Sequence, residues 1–486
     1  MFGFSSKKSA RRRADKRQIR QLSAENLESR QLMTASPGSE AIPAAHWLGH
    51  ASMDGGASLH GQSGSIIYSP AQMRHAYGVD SFHFTLNGQA YGADGRGQTI
   101  AIVIGGHDPN IVRDLQAFDR YYGLPDPNFN LYYANGTRPA MNDASGLIET
   151  SMDVEWAHAM APRANIVLVE AADMSYGALG RAIDVARSIP SVDVVSMSWG
   201  SAEQAGGYQF YSQYDTHFTT PAGHKGITFI ASSGDNGAWA DGQHVGVSYP
   251  SSSPRVMAVG GTSLAIVNGG YAGEAAWNGS GGGYSQIFAE PYYQTGVQRT
   301  GVRTVPDVAW DADPNTGVGV ILTNPSTGRL ALIAGGGTSA GAPQMAGLMA
   351  VVNEGRMLNR LDSLRNGQAT MYALPGSDFH DIQSGGNGYR AHAGYDLATG
   401  RGTPMARNVV SHLMVTNAFQ SFSTSSSLSG AMPLSHTPTN NNSAALAMLY
   451  STYDVAGATA NDLATTHRKD AAVGSHAGYD DYFATL

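Results

Sequence analysis

A serine carried by glycines onto the start of an apolar helix is the first chemical feature of this sequence. Gly335-Gly336-Gly337-Thr338-Ser339-Ala340-Gly341-Ala342-Pro343 runs into Gln344-Met345-Ala346-Gly347-Leu348-Met349-Ala350-Val351-Val352. Glycine permits positive φ and close approach of a substrate to the backbone. Thr338 or Ser339 can cap the helix, and Pro343 is tolerated only near its start. A serine so placed has its hydroxyl exposed beside free N–H groups at the positive end of a helix dipole, as a nucleophile with an oxyanion site requires. The same residues also describe a Gly/Ser loop before an ordinary core helix, so the decision rests on a base elsewhere.

The candidate base lies in Glu149-Thr150-Ser151-Met152-Asp153-Val154-Glu155-Trp156-Ala157-His158-Ala159. At spacing i, i+4, Glu149 and Asp153 share one helix face. Two carboxylates held together do not both ionise easily, so one keeps its proton to higher pH and the pair can accept a serine proton in acid. A solvated acidic face has the same spacing, but Met152, Val154 and Trp156 point to a helix partly buried in the core. Asp235, in Ser232-Ser233-Gly234-Asp235-Asn236-Gly237, is a third carboxyl. It reads either as an Asx-turn residue or as a protonated donor to a developing oxyanion beside the Ser339 N–H.

Composition narrows the class. The 486 residues carry a net charge of −8, 60 glycines and no cysteine. Disulfides, thiol catalysis and cysteine metal sites are excluded, and an exported protein of this kind needs another staple, such as a bound ion. Residues 1–35 hold nine Lys/Arg against three acids, a net of +6, which leaves −14 for the remainder. An acidic body argues against nucleic acid as a partner, and the basic head reads as an export segment. No stretch is long and apolar enough to span a bilayer. Glu25-Asn26-Leu27-Glu28-Ser29-Arg30-Gln31-Leu32 resembles a Leu-Glu-x-Arg-x-Leu element near the start of some large exported bacterial proteins; an exposed amphipathic helix fits it equally.

The elements that must position these residues alternate. Apolar runs predict strands at 99–104, 129–133, 166–170, 192–197 and 227–231. Helical spacing predicts helices at 111–122, 147–159, 176–188 and 208–218. Strands alternating with helices make a parallel sheet with right-handed crossovers, whose sites sit off the strand C-termini. Ser198-Trp199-Gly200 and the Asp235 turn fall there. Residues 37–69 read as a Gly/Ala/Ser/His-rich linker, and 418–486 as a low-complexity extension.

In chain order, Glu149-x-x-x-Asp153, Ser198-Trp199-Gly200, Ser233-Gly234-Asp235 and Gly337-Thr338-Ser339-x-x-x-Pro343 resemble the sedolisin (serine-carboxyl) peptidases. Tyr249-Pro250-Ser251-Ser252-Ser253-Pro254, Ala258-Val259-Gly260-Gly261-Thr262, Ser280-Gly281-Gly282-Gly283-Tyr284-Ser285, Pro306-Asp307-Val308-Ala309 and Ala312-Asp313-Pro314 extend the match, which runs from about residue 69 to about 416. The resemblance implies an α/β, subtilisin-like fold with a mostly parallel central sheet flanked by helices, and a monomeric, exported peptidase acting on proteins or peptides in acid. It makes Ser339 the nucleophile, Glu149 the general base, Asp153 the partner that shares its proton, and Asp235 part of the oxyanion hole. Ser198, Trp199 and Gly200 would bind substrate. One calcium ion is implied at Asp381 and Asp396, with carbonyls of Ile382, His392 and Gly394; all-oxygen ligation from an irregular loop suits that ion. His392 stands where the family often has glycine, which a carbonyl ligand does not feel.

The expected division is a basic export-type head and flexible linker at 1–68, a peptidase domain at 69–417 and the extension at 418–486. Two departures stand out. Family members usually carry a long N-terminal prodomain where about 68 residues precede the catalytic region here, and the extension has no counterpart. The resemblance spans internal cleavage and removal of tripeptides. Two rival readings remain. A Ser-His-Asp peptidase needs a histidine on the Glu149 face and an aspartate ending the 99–104 strand; His158 is off that face and reads as a packed helix histidine. A non-catalytic secreted binding protein on a peptidase fold is the other.

Overall fold

The computed structural model describes residues 41–43, 46–52 and 66–416. The basic head, much of the segment read as linker, and the 418–486 extension lie outside the described residues. Two short strands come first, Ile42–Pro43 (β1) and His46–Ser52 (β2). They fall inside the stretch whose composition predicts a flexible linker, and they correct that reading: both find partner strands in the domain.

The central sheet takes Thr99–Gly105 (β3), Phe129–Tyr133 (β4), Asn165–Ala171 (β5) and Val194–Met197 (β6). After Trp199–Ala202 (β7), which pairs outside it, the sheet continues with Thr228–Ser232 (β8), Val256–Val267 (β9), Gly270–Ala276 (β10) and Val308–Asp311 (β11). Its order is β10-β9-β8-β6-β3-β5-β4, with β11 also on β9, and only the β9–β10 pairing is antiparallel. β3 is buried at every position, as its unbroken apolar run requires of a strand covered on both faces. Val318–Thr323 (β12) and Leu330–Gly336 (β13) form a separate antiparallel pair that ends just before Ser339.

Four helices matter for the site: Ile111–Tyr122 (α1), Ala144–Met160 (α2), Tyr176–Ser188 (α3) and Thr338–Leu358 (α4). α2 starts three residues before its apolar pattern does, because Asp143 accepts a hydrogen bond from Gly146 N and caps it. The helix predicted at 208–218 is a short α-helix, Tyr208–Tyr214, followed by a 3-10 turn at Asp215–His217. α2 and α4 are buried nearly end to end and cross closely. A Cβ on Gly347 would lie 2.5 Å from Met160 Cβ, so the crossing needs a glycine there.

Buried carboxylates tie the helices to β12. Glu155 accepts from Ile321 N at 3.0 Å and Asp114 from Thr323 N at 2.7 Å, which covers donors on the edge of that strand not used by β13. Burial pushes Asp108 and Glu354 up to about 7 and Asp114 up to about 6; the same cause raises Glu203 to about 7 and Asp215 to about 6. The folded chain therefore holds these protons more tightly than the unfolded chain. The stability they contribute is full below the unfolded carboxyl range near pH ~4 and is lost as pH rises through about 6 to 7. We expect the melting temperature, read by circular dichroism, to be several degrees higher at about pH 4 than at about pH 7.5; a higher value at neutral pH would contradict the assignment.

Candidate active site

The site forms where α4 begins against α2 and the loops after β6 and β8. Gly337 turns the chain with φ 88°, the left-handed region that favours glycine, and delivers Thr338 and Ser339 as the first two helical residues. Pro343 sits one turn deeper than a first-turn proline. It has no N–H to give to the carbonyl of Ser339, four residues back. That carbonyl lies 3.4 Å from Ser198 Oγ, and Ser339 Oγ lies 3.4 Å from Ser198 O. The missing helical hydrogen bond thus leaves the serine turn open toward the end of β6.

Glu149, Asp153, Ser198 and Ser339 are all fully buried. Ser198 donates to Asp153 Oδ1 at 2.5 Å. Burial first, and then the charge of Asp153, hold Glu149 well above the usual carboxylate range; Asp235 adds to this and the Ser339 hydroxyl opposes it. Burial likewise raises Asp153, against the hydroxyl of Ser198 and the carboxyl of Glu149. Neither oxygen of Glu149 has a partner at full hydrogen-bond geometry, although Ser339 and Asp153 lie near enough to act on its charge. In a resting site such contacts are commonly loose and tighten around substrate. The arrangement is a buried carboxyl pair, facing a serine, that holds a proton above the usual carboxylate range.

Asp235 reaches the same turn from the other side. Its Oδ1 accepts from Thr338 N at 2.8 Å and from Thr338 Oγ1 at 2.7 Å, while Gly234 N donates to Thr338 Oγ1 at 3.1 Å. Thr338, a polar residue beside the serine, was legible only as a cap; its contact with Asp235 was not. The Ser280–Ser285 segment braces this turn from behind: Gly281 N donates to Gly234 O at 2.7 Å, and a Cβ on Gly281 would meet Ser233 O at 2.1 Å.

Ser198, Trp199 and Gly200 are not equivalent. The Ser198 hydroxyl is taken by Asp153. Trp199 is turned into the core, its indole N–H on Val103 O at 2.8 Å. A Cβ on Gly200 would meet Tyr249 O at 2.8 Å, which accounts for glycine there. What this stretch offers a substrate is main chain. As for the rival triad, two histidines near these helices are committed elsewhere: His158 Nε2 is 3.0 Å from Asp119 in the core, and His107 Nδ1 is 2.7 Å from Glu170. The titratable group facing Ser339 is a carboxyl.

The loop at 379–402 gathers the residues expected at a metal. Asp381 Oδ1 accepts from Gly394 N at 2.9 Å, and Asp396 Oδ2 from His392 N at 3.1 Å, so both carboxylates converge on the 392–394 turn. Ile382 is buried and has only main chain to give. Among the described residues no group of three or more His, Cys, Asp or Glu is placed to hold a metal. An ion on these two carboxylates would draw its other ligands from carbonyls and water, a donor set that fits calcium. The loop is joined to the Asp235 turn, since Asn387 Nδ2 donates to Ser280 O at 2.6 Å and Ser280 Oγ to Ala398 O at 2.7 Å.

Residues 140–359 match the subtilase family. The chain is 34% identical to kumamolisin of Bacillus sp. (strain MN-32), over 67% of this chain and 62% of that protein. It is 31% identical to sedolisin of Pseudomonas sp. (strain 101), over 62% of this chain and 54% of that protein. It therefore spans less than two thirds of the length of these relatives. The solved structure of Pseudomonas sedolisin, described as a serine-carboxyl proteinase complexed with two molecules of pseudo-iodotyrostatin, superposes with a TM-score of 0.62 at 28% identity, covering 72% of this chain and 98% of that one.

Proposed function

The chain belongs to the sedolisin family, and from that premise we propose that it is a serine-carboxyl peptidase that hydrolyses peptide bonds in acid. The observation that carries the reading is the buried Glu149/Asp153 pair facing Ser339. Ser339 Oγ attacks the peptide carbonyl and passes its proton to Glu149. Before the attack Asp153, held by Ser198, shares one proton with Glu149, so the pair carries one negative charge and becomes neutral on taking the serine's proton. The developing oxyanion is met by Asp235 in its protonated form and by the main-chain N–H of Ser339. Collapse returns the proton from Glu149 to the leaving amine, and water then releases the acyl group by the reverse route. The substrate lies extended along the main chain of Ser198–Gly200. The test is digestion of a denatured protein at about pH 4 and about pH 7. Hydrolysis that falls at the higher pH supports the reading; equal rates, or none at either pH, overturn it.

Asp381 and Asp396, with the carbonyls of Ile382, His392 and Gly394, are the residues that would hold calcium. Bound there, the ion supplies a fixed charge that pins the loop, and takes no part in the chemistry. Because that loop meets Ser280, and through Gly281 the Asp235 turn, loading it should stiffen the oxyanion side of the site. We expect millimolar calcium to raise the melting temperature by several degrees over the chelator-treated protein, as binding to the folded state alone requires. Asp396→Ala should abolish that rise; a calcium effect that survives it would place the ion elsewhere. Export from the cell is part of the same proposal, resting on the basic head and the cysteine-free chain.

A further inference from the structure

Thr338, the first residue of α4, is fully buried, and both of its hydrogen-bond donors converge on one oxygen. Its N–H donates to Asp235 Oδ1 at 2.8 Å, and its hydroxyl lies 2.7 Å from the same atom. The direction of that hydroxyl is set by its neighbours. Gly234 N donates to Thr338 Oγ1 at 3.1 Å, and a main-chain N–H has no other role to take. The one hydrogen of the hydroxyl must therefore point elsewhere, and the carboxyl oxygen at 2.7 Å outcompetes the Gly234 carbonyl at 3.2 Å. The methyl group is held as well. A Cβ on Gly261 would lie 3.5 Å from Thr338 Cγ2, and a β-branched side chain has few rotamers to choose from.

We propose that Thr338 is a positioning residue for Asp235: with its N–H and its hydroxyl both given to Oδ1, the acid proton of Asp235 is confined to Oδ2, the oxygen that serves the oxyanion. This rests on the peptidase reading for what the proton does, but not for where it sits. A protonated carboxyl carries its one O–H on either oxygen. A proton on Oδ1 would face the two hydrogens already donated there, so Gly234 N, Thr338 Oγ1 and Asp235 Oδ1 together select the other tautomer before a substrate arrives. A donor set in place beforehand needs no reorganisation as charge develops. The arrangement has a measurable consequence. A hydrogen bond donated to a carboxylate favours its charged form, so the hydroxyl that places the proton also makes it easier to lose. Of the elements packed on this turn, α2 brings Glu149, whose carboxyl feels the charge of Asp235. The start of α4, residues 280–283 and Ser248 bring no charged group.

Thr338→Val keeps the shape and the main-chain N–H and removes only the hydroxyl; Thr338→Ala serves if the first variant does not fold. On a denatured protein at about pH 4, kcat should fall about tenfold with KM little changed, as for a donor that is present but less well placed. The pH at which kcat/KM is halved should at the same time move up by about one unit. A merely structural residue would lower the rate and leave that limit where it was. Thr338→Ser should return the limit to the parent's position, and in a chain carrying Asp235→Asn the change Thr338→Val should no longer move it. A readout without turnover comes from the full chain carrying Ser339→Ala. There the infrared C=O band of protonated Asp235, assigned by its absence when Asp235→Asn is added, should vanish about one pH unit higher with Thr338→Val than without it. A band that titrates as in the parent, in variants whose melting temperatures match it, overturns the proposal. A shifted band with no hydrolysis by any Ser339 chain would sink the peptidase reading and leave the role of Thr338 standing.

Discussion

Ser339→Ala and Glu149→Gln should each lower kcat on a denatured protein at about pH 4 by about 10³-fold or more, and the double variant should lose little beyond the worse single. The two groups act as a unit, since the hydroxyl is a poor nucleophile without a base and the base has no proton to take without the hydroxyl. Both are fully buried on α4 and α2, so the control is that neither change unfolds the chain. Glu149→Gln keeps the volume and removes a carboxyl that burial already disfavours in its charged form, so it should not lower the melting temperature. KM should change little, because neither group lies on the main chain that pairs with an extended peptide. If Glu149→Gln kept a tenth or more of the activity, the proton would have to go to Asp153, and the roles within the pair would be reversed. Losses that simply multiplied in the double variant would mean the two residues do not act in one step.

Much of this was legible because it follows from local pattern. The 99–104 run could only be a strand buried on both faces, and helices 111–122 and 176–188 end where the structure ends them. Gly123 stops the first with φ 72°, and Ser175 caps the second. The Glu149/Asp153 spacing was visible, but its burial was not: an acidic i, i+4 pair looks the same on a solvated helix, and only the tertiary packing of α2 against α4 separates the two. Two things were hidden for physical reasons. Trp199 lies in a family-like substrate motif, yet its indole belongs to the core, because a strand that leaves the sheet alternates its side chains between core and cleft. The strands at 42–52 were hidden because their pairing is by main chain on edges supplied from about 155 and 290 residues away in sequence; residue composition there says little.

Replacing Asp235 separates its chemistry from its packing. Asp235→Ala should cost about 10²–10³ in kcat, the usual loss for one oxyanion-hole donor. Asp235→Asn should cost far less in acid. Oδ1 already accepts from both the N–H and the hydroxyl of Thr338, so the proton that serves the oxyanion must sit on Oδ2. The amide keeps an acceptor at the first position and puts a permanent N–H donor at the second. A carboxyl donates only while it is protonated, so its contribution fades as pH rises, whereas an amide donor does not titrate. Burial and mutual repulsion keep a proton on the Glu149/Asp153 pair above the usual carboxylate range, so the pair is not the first group to fail on the way to neutrality. The ratio of kcat/KM at about pH 7 to that at about pH 4 should therefore rise about tenfold in Asp235→Asn relative to the parent. A profile that kept the parent's shape would move the pH limit to the carboxyl pair and remove Asp235 from the oxyanion hole as a proton donor, leaving it as the brace that holds Thr338 at the start of α4.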